Sequence, residues 1–384
     1  MKATHRQIHL FPRAAGMLLL LAAGLHGQPR FEYSAELFSF TQSASFLSWE
    51  LKSGGQTQRI QQTYLPTSLS LPVLRHTTFT LGTAGGFSRA ELASTRECNG
   101  LSDVRLRLSQ SLGGSRWFLG AGVNLPAGKN KLDDDENAVV NALSENVLGF
   151  PLQRYGAGFD IEVTLAHALN FSDQLGLGLG ATWVMPGAFE FRRDSEIRYQ
   201  PGQRYLFTMV LNRLDPVLAW RVSLLGQSFA FDKLAGQRFF RQGWQFEPGA
   251  SLDWRFAPAW RGQLALTHIW KDQNKVLPTV AAGLPPEHYY IDNSSYARLV
   301  FLRDFTARMQ AGVYLHFNHF GESAVQQLNR AGIARLGLRL TAKLSEHFML
   351  GATADYASGS AEDNQRRNLD LNGYGLGAWL KAQF

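Results

Sequence analysis

Arginines and carboxylates recur at every second position in several segments of the sequence. Arg105 and Arg107 alternate with Val104, Leu106 and Leu108 in the stretch VRLRL. Side chains on a β-strand point alternately to its two faces, so this spacing places charge on one face and apolar groups on the other. A charged face of this kind can bind ions or guide them through a pore, which is a transport function and not a catalytic one.

The same alternation elsewhere gives a set of candidate residues for the wet face of such strands. Basic residues outnumber acidic ones among them, which favours solutes that carry a carboxylate or a phenolate. An alternative is a structural ladder of charges that fills the interior and holds the strands in register, and both interpretations stay open. The candidates are Arg105, Arg107, Asp160, Glu162, Arg221, Arg255, Arg261, Arg308, Arg335, Arg339, Lys343, Asp355 and Lys381.

One long polar segment contains two further patterns. The acidic run DDDE, from Asp133 to Glu136, offers carboxylates to a divalent cation, although a solvated loop is the favoured interpretation. Beyond this run, Val139, Val140, Leu143, Val147 and Leu148 recur at helical spacing. They predict a short amphipathic helix that covers or enters the mouth of a barrel, or packs on neighbouring loops.

Catalytic and cofactor chemistry find little support in the sequence. His167 and His268 fall on apolar faces, and no serine clearly joins them in the arrangement that an ester-hydrolysing triad needs. Cys98 is the single cysteine, which allows neither an internal disulfide nor a cysteine-based metal site. The basic excess, 38 Lys+Arg against 31 Asp+Glu, is spread over many segments without a nucleic-acid-binding motif. We therefore predict no enzymatic activity, no cofactor, no metal and no nucleic-acid partner.

Alternating segments joined by two kinds of connection must position the candidate residues. Short connections, such as GGSR at 113–116, alternate with long polar segments, such as 126–154 and 272–295. This layout is typical of an all-β protein that forms a transmembrane antiparallel β-barrel of roughly 14–16 strands, with short periplasmic turns and long extracellular loops. A soluble β-sandwich or β-solenoid is the alternative, but the loop lengths are uneven and no fixed repeat period is found.

Both ends of the chain contain features of an exported membrane protein. Lys2, Arg6 and Arg13 precede the apolar run AAGMLLLLAAGL at 14–25, which is too short to span a bilayer. We predict a cleaved signal peptide over residues 1–27 and a barrel over residues 28–384. The last strand ends on Phe384, and an aromatic residue in this place resembles the signal read by outer-membrane barrel-assembly machinery.

A more particular resemblance lies in residues 99–131 and 154–169. The first stretch reads NGLSDVRLRLSQSLGGSRWFLGAGVNLPAGKNK and the second RYGAGFDIEVTLAHAL. They resemble the phenol-degradation meta-pathway family of outer-membrane proteins, distant relatives of the FadL-type transporters. That family combines "G-x-x-D", "LPxGK" and "G-x-G-x-x-D" motifs. The matching residues here are Gly100, Asp103, Leu125, Pro126, Gly128, Lys129, Gly156, Gly158 and Asp160.

These observations lead to one functional expectation with two alternatives. The resemblance implies a channel for small hydrophobic or aromatic compounds, and the basic residues favour anionic ones. We expect passive uptake across a bacterial outer membrane through a basic, glycine-lined lumen. Outer-membrane lipid or lipopolysaccharide, the assembly machinery and a small solute are the expected partners. A structural or adhesive barrel with a closed lumen, and an outer-membrane lipase, are the alternatives.

Overall fold

The computed structural model is dominated by long antiparallel strands. It describes residues 38–53, 55–112, 116–190, 197–277, 287–288, 293–322, 328–363 and 365–384. The single α-helix of this part, α1, spans Asp134–Leu143, and a 3-10 turn follows at Asn146–Leu148. The strands are β1 (Ser39–Ser53), β2 (Gln56–Leu74), β3 (Thr77–Glu91), β4 (Thr95–Leu101), β5 (Val104–Leu112), β6 (Trp117–Leu125), β7 (Asp160–Asn170), β8 (Leu175–Pro186), β9 (Phe189–Glu190), β10 (Arg198–Gln200), β11 (Arg204–Arg213), β12 (Leu218–Phe229), β13 (Asp232–Leu234), β14 (Gln237–Arg241), β15 (Gln245–Ala257), β16 (Trp260–Lys271), β17 (Asn274–Val276), β18 (Glu287–His288), β19 (Ser294–Thr306), β20 (Met309–Phe320), β21 (Asn329–Lys343), β22 (Phe348–Glu362) and β23 (Asn368–Gln383).

The main sheet closes on itself because its first and last strands pair. β1 and β23 are antiparallel and in register from Ser39↔Gln383 to Lys52↔Asp370. β4 and β5 both pair with β3 and form one wall strand that is interrupted at Ser102 and Asp103. The result is a closed antiparallel barrel of 16 strands, which leaves no open sheet edge and confirms the predicted fold class.

Connections differ between the two ends of the barrel. The end that contains Ser39 and Gln383, here called the turn end, has short turns such as Ala307–Arg308 between β19 and β20. The opposite end, the loop end, has the long connections predicted from the sequence, although those between β1 and β2 and between β3 and β4 are short. Residues 1–37 lie outside the described part of the chain, so the signal peptide stays a prediction.

Six short strands continue one side of the wall beyond the loop end. β9, β10, β13, β14, β17 and β18 form a second sheet whose order follows that of the wall strands beneath, β8, β11, β12, β15, β16 and β19. We call it the rim sheet. The long loops on this side are therefore ordered extensions of the barrel wall.

The two faces of the wall differ as the alternation predicts. Leu336, Leu338 and Leu340 point outward, and Leu338 is 61% exposed. Pairs of aromatic residues such as Trp183 and Tyr205 lie outward near the loop end, where an aromatic belt meets the membrane interface. Within the described residues, no helix is long and apolar enough to cross a bilayer.

Labelling from within a bilayer should report this division of faces. A photoactivatable lipid is expected to modify Leu338, Leu106 and Leu177, because their strand positions place them on the outer face. Their immediate neighbours, such as Gly337 and Arg339, should stay unmodified. Peptide mass spectrometry after labelling gives the measurement, and equal modification of Leu338 and Arg339 would contradict the assignment of faces.

Candidate functional site

The connection between β6 and β7 folds back into the barrel, and we call residues 126–158 the infolded segment. Its acidic run begins α1: Asp133 accepts from the Glu136 backbone N–H at 2.9 Å, and Glu136 accepts from that of Asp133 at 3.2 Å. Lys129 forms an ion pair with Glu136. These contacts give the run a role in starting the helix. Among the described residues, no group of three His, Cys, Asp or Glu side chains is arranged to bind a metal ion.

The infolded segment is held against the inner face of the wall by buried polar contacts. Trp49 Nε1 donates to the Leu148 carbonyl at 2.7 Å. The Gln62 amide pairs with the Leu152 backbone, donating at 2.7 Å and accepting at 3.0 Å. Trp49 and Gln62 are 0% and 1% exposed, so these bonds form away from water and satisfy the buried Trp49 N–H and the Gln62 amide. The predicted helix is confirmed over Asp134–Leu143, where Val139 and Leu143 pack in the same cluster as inner-face residues, whereas Val147 and Leu148 lie in the 3-10 turn that follows.

Tyr155 belongs to the same buried contact surface. Its hydroxyl donates to the Cys98 carbonyl at 2.9 Å and lies 2.7 Å from Ser88 Oγ. Burial raises the pKa of Tyr155 to about 12, so the phenol stays protonated and can donate at physiological pH. Tyr155 does not lie with the outward aromatic residues near the loop end, because the infolded segment takes it inside the barrel.

Asp103 joins the two ends of the infolded segment. It lies in the two-residue interruption between β4 and β5. Its Oδ1 accepts from the Gly128 N–H at 2.9 Å, and its Oδ2 accepts from the Ala157 N–H at 2.7 Å. The Asn124 side chain also donates to Oδ2 at 3.1 Å. One carboxylate therefore fixes the points where the segment leaves the wall and returns to it. We call this arrangement the Asp103 clamp.

The clamp explains why the motif residues lie close together in space. A Cβ on Gly128 would stand 2.2 Å from the Tyr155 carbonyl oxygen and 2.8 Å from the Asp103 nitrogen, so only glycine fits where the two ends of the segment meet. Gly158 has a φ of +91°, and its carbonyl accepts from Asn124 at 3.3 Å. The motif thus builds the base of the infolded segment.

A row of basic residues crosses the inner face on the wall away from the base of the segment. Register partners connect Arg221 on β12 through Ser251 and Ala265 to Arg298 on β19. The same row continues through His316 to Arg335 on β21. We call Arg221, Arg298 and Arg335 the arginine row. Because neighbouring strands lie about 4.8 Å apart, Arg298 and Arg335 start from backbone positions roughly 10 Å apart.

The end of the arginine row that contains Arg298 and Arg335 lies next to aromatic rings and the infolded segment. The Arg335 guanidinium lies 6.0 Å from the ring of Trp49, and its Nε is 3.4 Å from Asp355 Oδ1. The Tyr314 hydroxyl donates to Asp355 Oδ2 at 2.8 Å. The Arg298 guanidinium lies 5.9 Å from the Tyr314 ring. Cations and aromatic faces therefore alternate along this wall, which suits both the charge and the ring of an aromatic acid.

Glycine makes room for this arrangement at one point. A Cβ on Gly337 would stand 2.2 Å from Cζ of Tyr314, so the Tyr314 ring lies across β21 at a position without a side chain. The ring can then reach Asp355 on β22. A larger residue at position 337 would separate Tyr314 from Asp355.

Other charges of the inner face form ion pairs, one on β5 and β7 and one on the strands of the arginine row nearer the turn end. Arg107 Nη2 is 3.0 Å from Glu162 Oε1, and Thr164 lies within 3.5 Å of the same guanidinium. Arg261 and Asp253 approach to 4.0 Å near the turn end. Part of the inner charge is therefore paired across strands, as the ladder interpretation expects, and this includes Arg335 of the arginine row with Asp355.

The register places nearly all predicted lumen residues on the inner face. Arg308 is the exception, and its predicted strand position is wrong, because it lies in the exposed turn between β19 and β20. Whether the others line the path of a solute stays a prediction. The inner-face positions are Arg105, Arg107, Asp160, Glu162, Arg221, Arg255, Arg261, Arg335, Arg339, Lys343, Asp355 and Lys381.

Sequence reasoning missed three inner-face residues of the site: Arg298, Tyr314 and His316. In β19 the inner positions include the apolar Val300 and Leu302, so the alternation of polar and apolar residues is blurred there. Arg298 lies in the stretch YAR at 296–298, and Tyr314 and His316 lie in YLH at 314–316. Only the register of β19 and β20 shows that these three side chains face inward.

The histidines on the outer face do not form a triad within the described residues. His268 Nδ1 lies 2.8 Å from Ser295 Oγ, so the structure does bring a serine to this histidine. A triad places the serine at Nε2 and an orienting carboxylate at Nδ1, which is the opposite arrangement. His167 stacks on Trp117 with ring centroids 4.1 Å apart. Both contacts fit side chains at the membrane interface.

Comparisons with known proteins give only distant likenesses. No protein-family model matches the sequence, and no curated protein is significantly similar to it. The monoaromatic hydrocarbon channel CymD is 10% identical, with 91% of this chain and 89% of that chain covered at a TM-score of 0.44. The outer membrane protein OprD from Pseudomonas aeruginosa is 8% identical, with 90% and 94% covered at 0.45. An outer membrane channel from Pseudomonas putida F1 is 10% identical, with 93% and 99% covered at 0.39.

These likenesses are too weak to carry an argument about function. The resemblance to the phenol-degradation family is not confirmed, and a FadL-type assignment finds no support among these structures. The architecture described above rests on the strand pairing of this chain alone.

Proposed function

We propose that this protein is a passive outer-membrane channel for small hydrophobic or aromatic compounds, with preference for those that carry a carboxylate or phenolate. The observation that supports the proposal is the arginine row, which ends beside Tyr314, Trp49 and the infolded segment. Guanidinium groups attract the anionic group, and the neighbouring rings offer apolar contact to the rest of the solute.

The infolded segment acts in this proposal as the constriction. It packs on the inner face of β1 to β4 and also contacts β20 to β23, so the arginine row begins beside it at Arg335 and continues along the wall to Arg221. A solute entering at the loop end passes between the segment and this row. Arg335 is partly neutralised by Asp355, so it can attract an anion without holding it tightly, which a conducting pathway requires. No step of the passage needs an energy source.

Export and assembly complete the proposal. In this proposal the signal peptide over residues 1–27 directs export of the chain. Phe384 is then recognised by the machinery that assembles barrels in the outer membrane. Phe384 contacts the rings of Phe38 and Phe348 at 5.9 and 5.7 Å, beside the seam where the barrel closes. This position suits a residue that is read before the seam forms.

A liposome-swelling assay tests transport directly. Liposomes that contain the refolded protein should swell several-fold faster in sodium benzoate at pH 7.5 than in an isosmotic solution of a neutral disaccharide. Protein-free liposomes correct for diffusion through the bilayer. Swelling rates equal to those of protein-free liposomes for every solute would instead favour the structural barrel with a closed lumen.

A further inference from the structure

The rim sheet has one apolar and one basic face. Phe189 packs on Gly158 of the infolded segment, which defines the inward face. Register partners then divide the other residues between the two faces. The inward side chains are Phe189, Tyr199, Leu234, Phe240 and Val276. The outward ones are Arg198, Lys233, Arg238, Arg241 and Lys275.

The outward cations have few anionic neighbours. Within the described side chains, Arg198 alone of this set forms an ion pair, at 3.7 Å from Glu190, which also binds Lys131 at 2.6 Å. Glu287 is the register partner of Lys275. Arg241 and Arg238 lie over the ring of Phe231 at 5.2 and 5.9 Å, which holds both guanidinium groups at the outer surface. The face is therefore strongly positive.

Cations on the opposite wall are arranged differently. Lys52 and Arg59 point outward near the loop end and pair with Glu50 at 2.9 and 3.1 Å. Arg89 pairs with Glu91 at 3.0 Å. On that side these outward cations are paired, whereas among the described outward cations of the rim sheet Arg198 alone is paired. This difference makes the outward face of the rim sheet a favourable place for an external anion.

The height of the rim sheet identifies the source of the anion. Lys275 follows Trp270 of the outer aromatic belt by five residues, and Gln200 precedes Tyr205 by the same number. At about 3.3 Å per residue and a tilt of about 40°, the basic face stands roughly 10–15 Å beyond the belt. Headgroups of the outer leaflet occupy this level, and their phosphates are its densest negative charge.

We propose that the outward face of the rim sheet binds phosphate groups of the glycolipid of the outer leaflet, lipopolysaccharide. The inference rests on the outer-membrane location in the proposed function, but it does not require a conducting lumen. Arg238 and Arg241 are the central ligands, because Phe231 orients both of them. Bidentate guanidinium–phosphate bonding suits this pair.

Binding of fluorescently labelled lipopolysaccharide to the full refolded protein tests the proposal. The variant Arg238→Gln/Arg241→Gln should bind about 10-fold to 30-fold more weakly than the wild type. The matched control is Arg59→Gln/Arg89→Gln, which removes two paired arginines at the loop end and should bind like the wild type. Dephosphorylated lipopolysaccharide should bind the wild type as weakly as the intact lipid binds the first variant, and millimolar inorganic phosphate should not compete.

Each of the contrary outcomes overturns the proposal. Equal affinity of the Arg238/Arg241 variant and the wild type would show that these arginines are not the binding site. Equal binding of the dephosphorylated and the intact lipid would show that the phosphates are not recognised. Displacement by inorganic phosphate would show a site for the free ion and not for the lipid. Heat-modifiable migration in electrophoresis confirms that each variant is folded. Single-channel conductance of the same preparations tests the channel function independently. A protein that conducts but does not bind lipopolysaccharide overturns only the lipid-binding proposal, and one that binds but does not conduct overturns only the channel function.

Discussion

Replacing Asp103 with alanine is expected to increase the single-channel conductance of this protein in planar bilayers about two-fold or more and to make the open current noisy. The variant loses hydrogen bonds to the Gly128 and Ala157 N–H groups and to Asn124. Bonds to a charged acceptor contribute about 1.5–3 kcal/mol each, so the local cost is on the order of 3 kcal/mol or more. Both ends of the infolded segment would then move away from the wall.

Two further variants separate this effect from general destabilisation. Asp215→Ala is the matched control, because Asp215 accepts from the Val217 and Leu218 N–H groups at 2.9 and 3.1 Å in a turn at the other end of the barrel. It removes the same kind of contact without touching the lumen and should leave conductance unchanged. Asp103→Asn keeps one acceptor oxygen and should lie between the wild type and alanine. Unchanged conductance in Asp103→Ala would show that the segment is not the constriction.

Reversing charge at Arg298 and Arg335 is expected to change ion selectivity most strongly. The double variant Arg298→Glu/Arg335→Glu places two carboxylates on the row, at the end that lies beside the infolded segment. The anion-to-cation permeability ratio, measured from the reversal potential in a salt gradient, should fall about ten-fold. Asp355 would lose its guanidinium partner at 3.4 Å in this variant, which adds negative charge in the same place.

The control for this variant lies in the same hairpin. Arg308 stands in the turn between β19 and β20, so Arg308→Glu makes the same chemical change outside the wall and should leave selectivity nearly unchanged. Arg107→Glu should have an intermediate effect, since Glu162 already balances Arg107 at 3.0 Å. A ratio that does not change in the Arg298/Arg335 variant would exclude the arginine row from the ion pathway.

The architecture was determined largely by local sequence pattern. Polar and apolar residues alternate with a period of two along segments such as 334–344, and this alone divides the wall into an outer and an inner face. The lengths of the connections then distinguish the two ends of the barrel and bracket the strand number. These features depend on neighbours within one strand or one turn, which is why they can be read from the sequence without knowing which strands pair.

The candidate site depended on contacts that the alternation does not encode. The row from Arg221 through Arg298 to Arg335 exists only through the register of six strands, whose residues are far apart in sequence. Arg308 shows the limit of the pattern. The alternation was continued across a tight turn and placed Arg308 on a strand, although β19 ends at Thr306. Tyr155 shows another, because inward folding of residues 126–158 is decided by buried bonds to Trp49 and Gln62. Sequence alone thus determined which side of each strand meets water, and tertiary packing decided which charges meet one another, since long-range pairing energies fix the register.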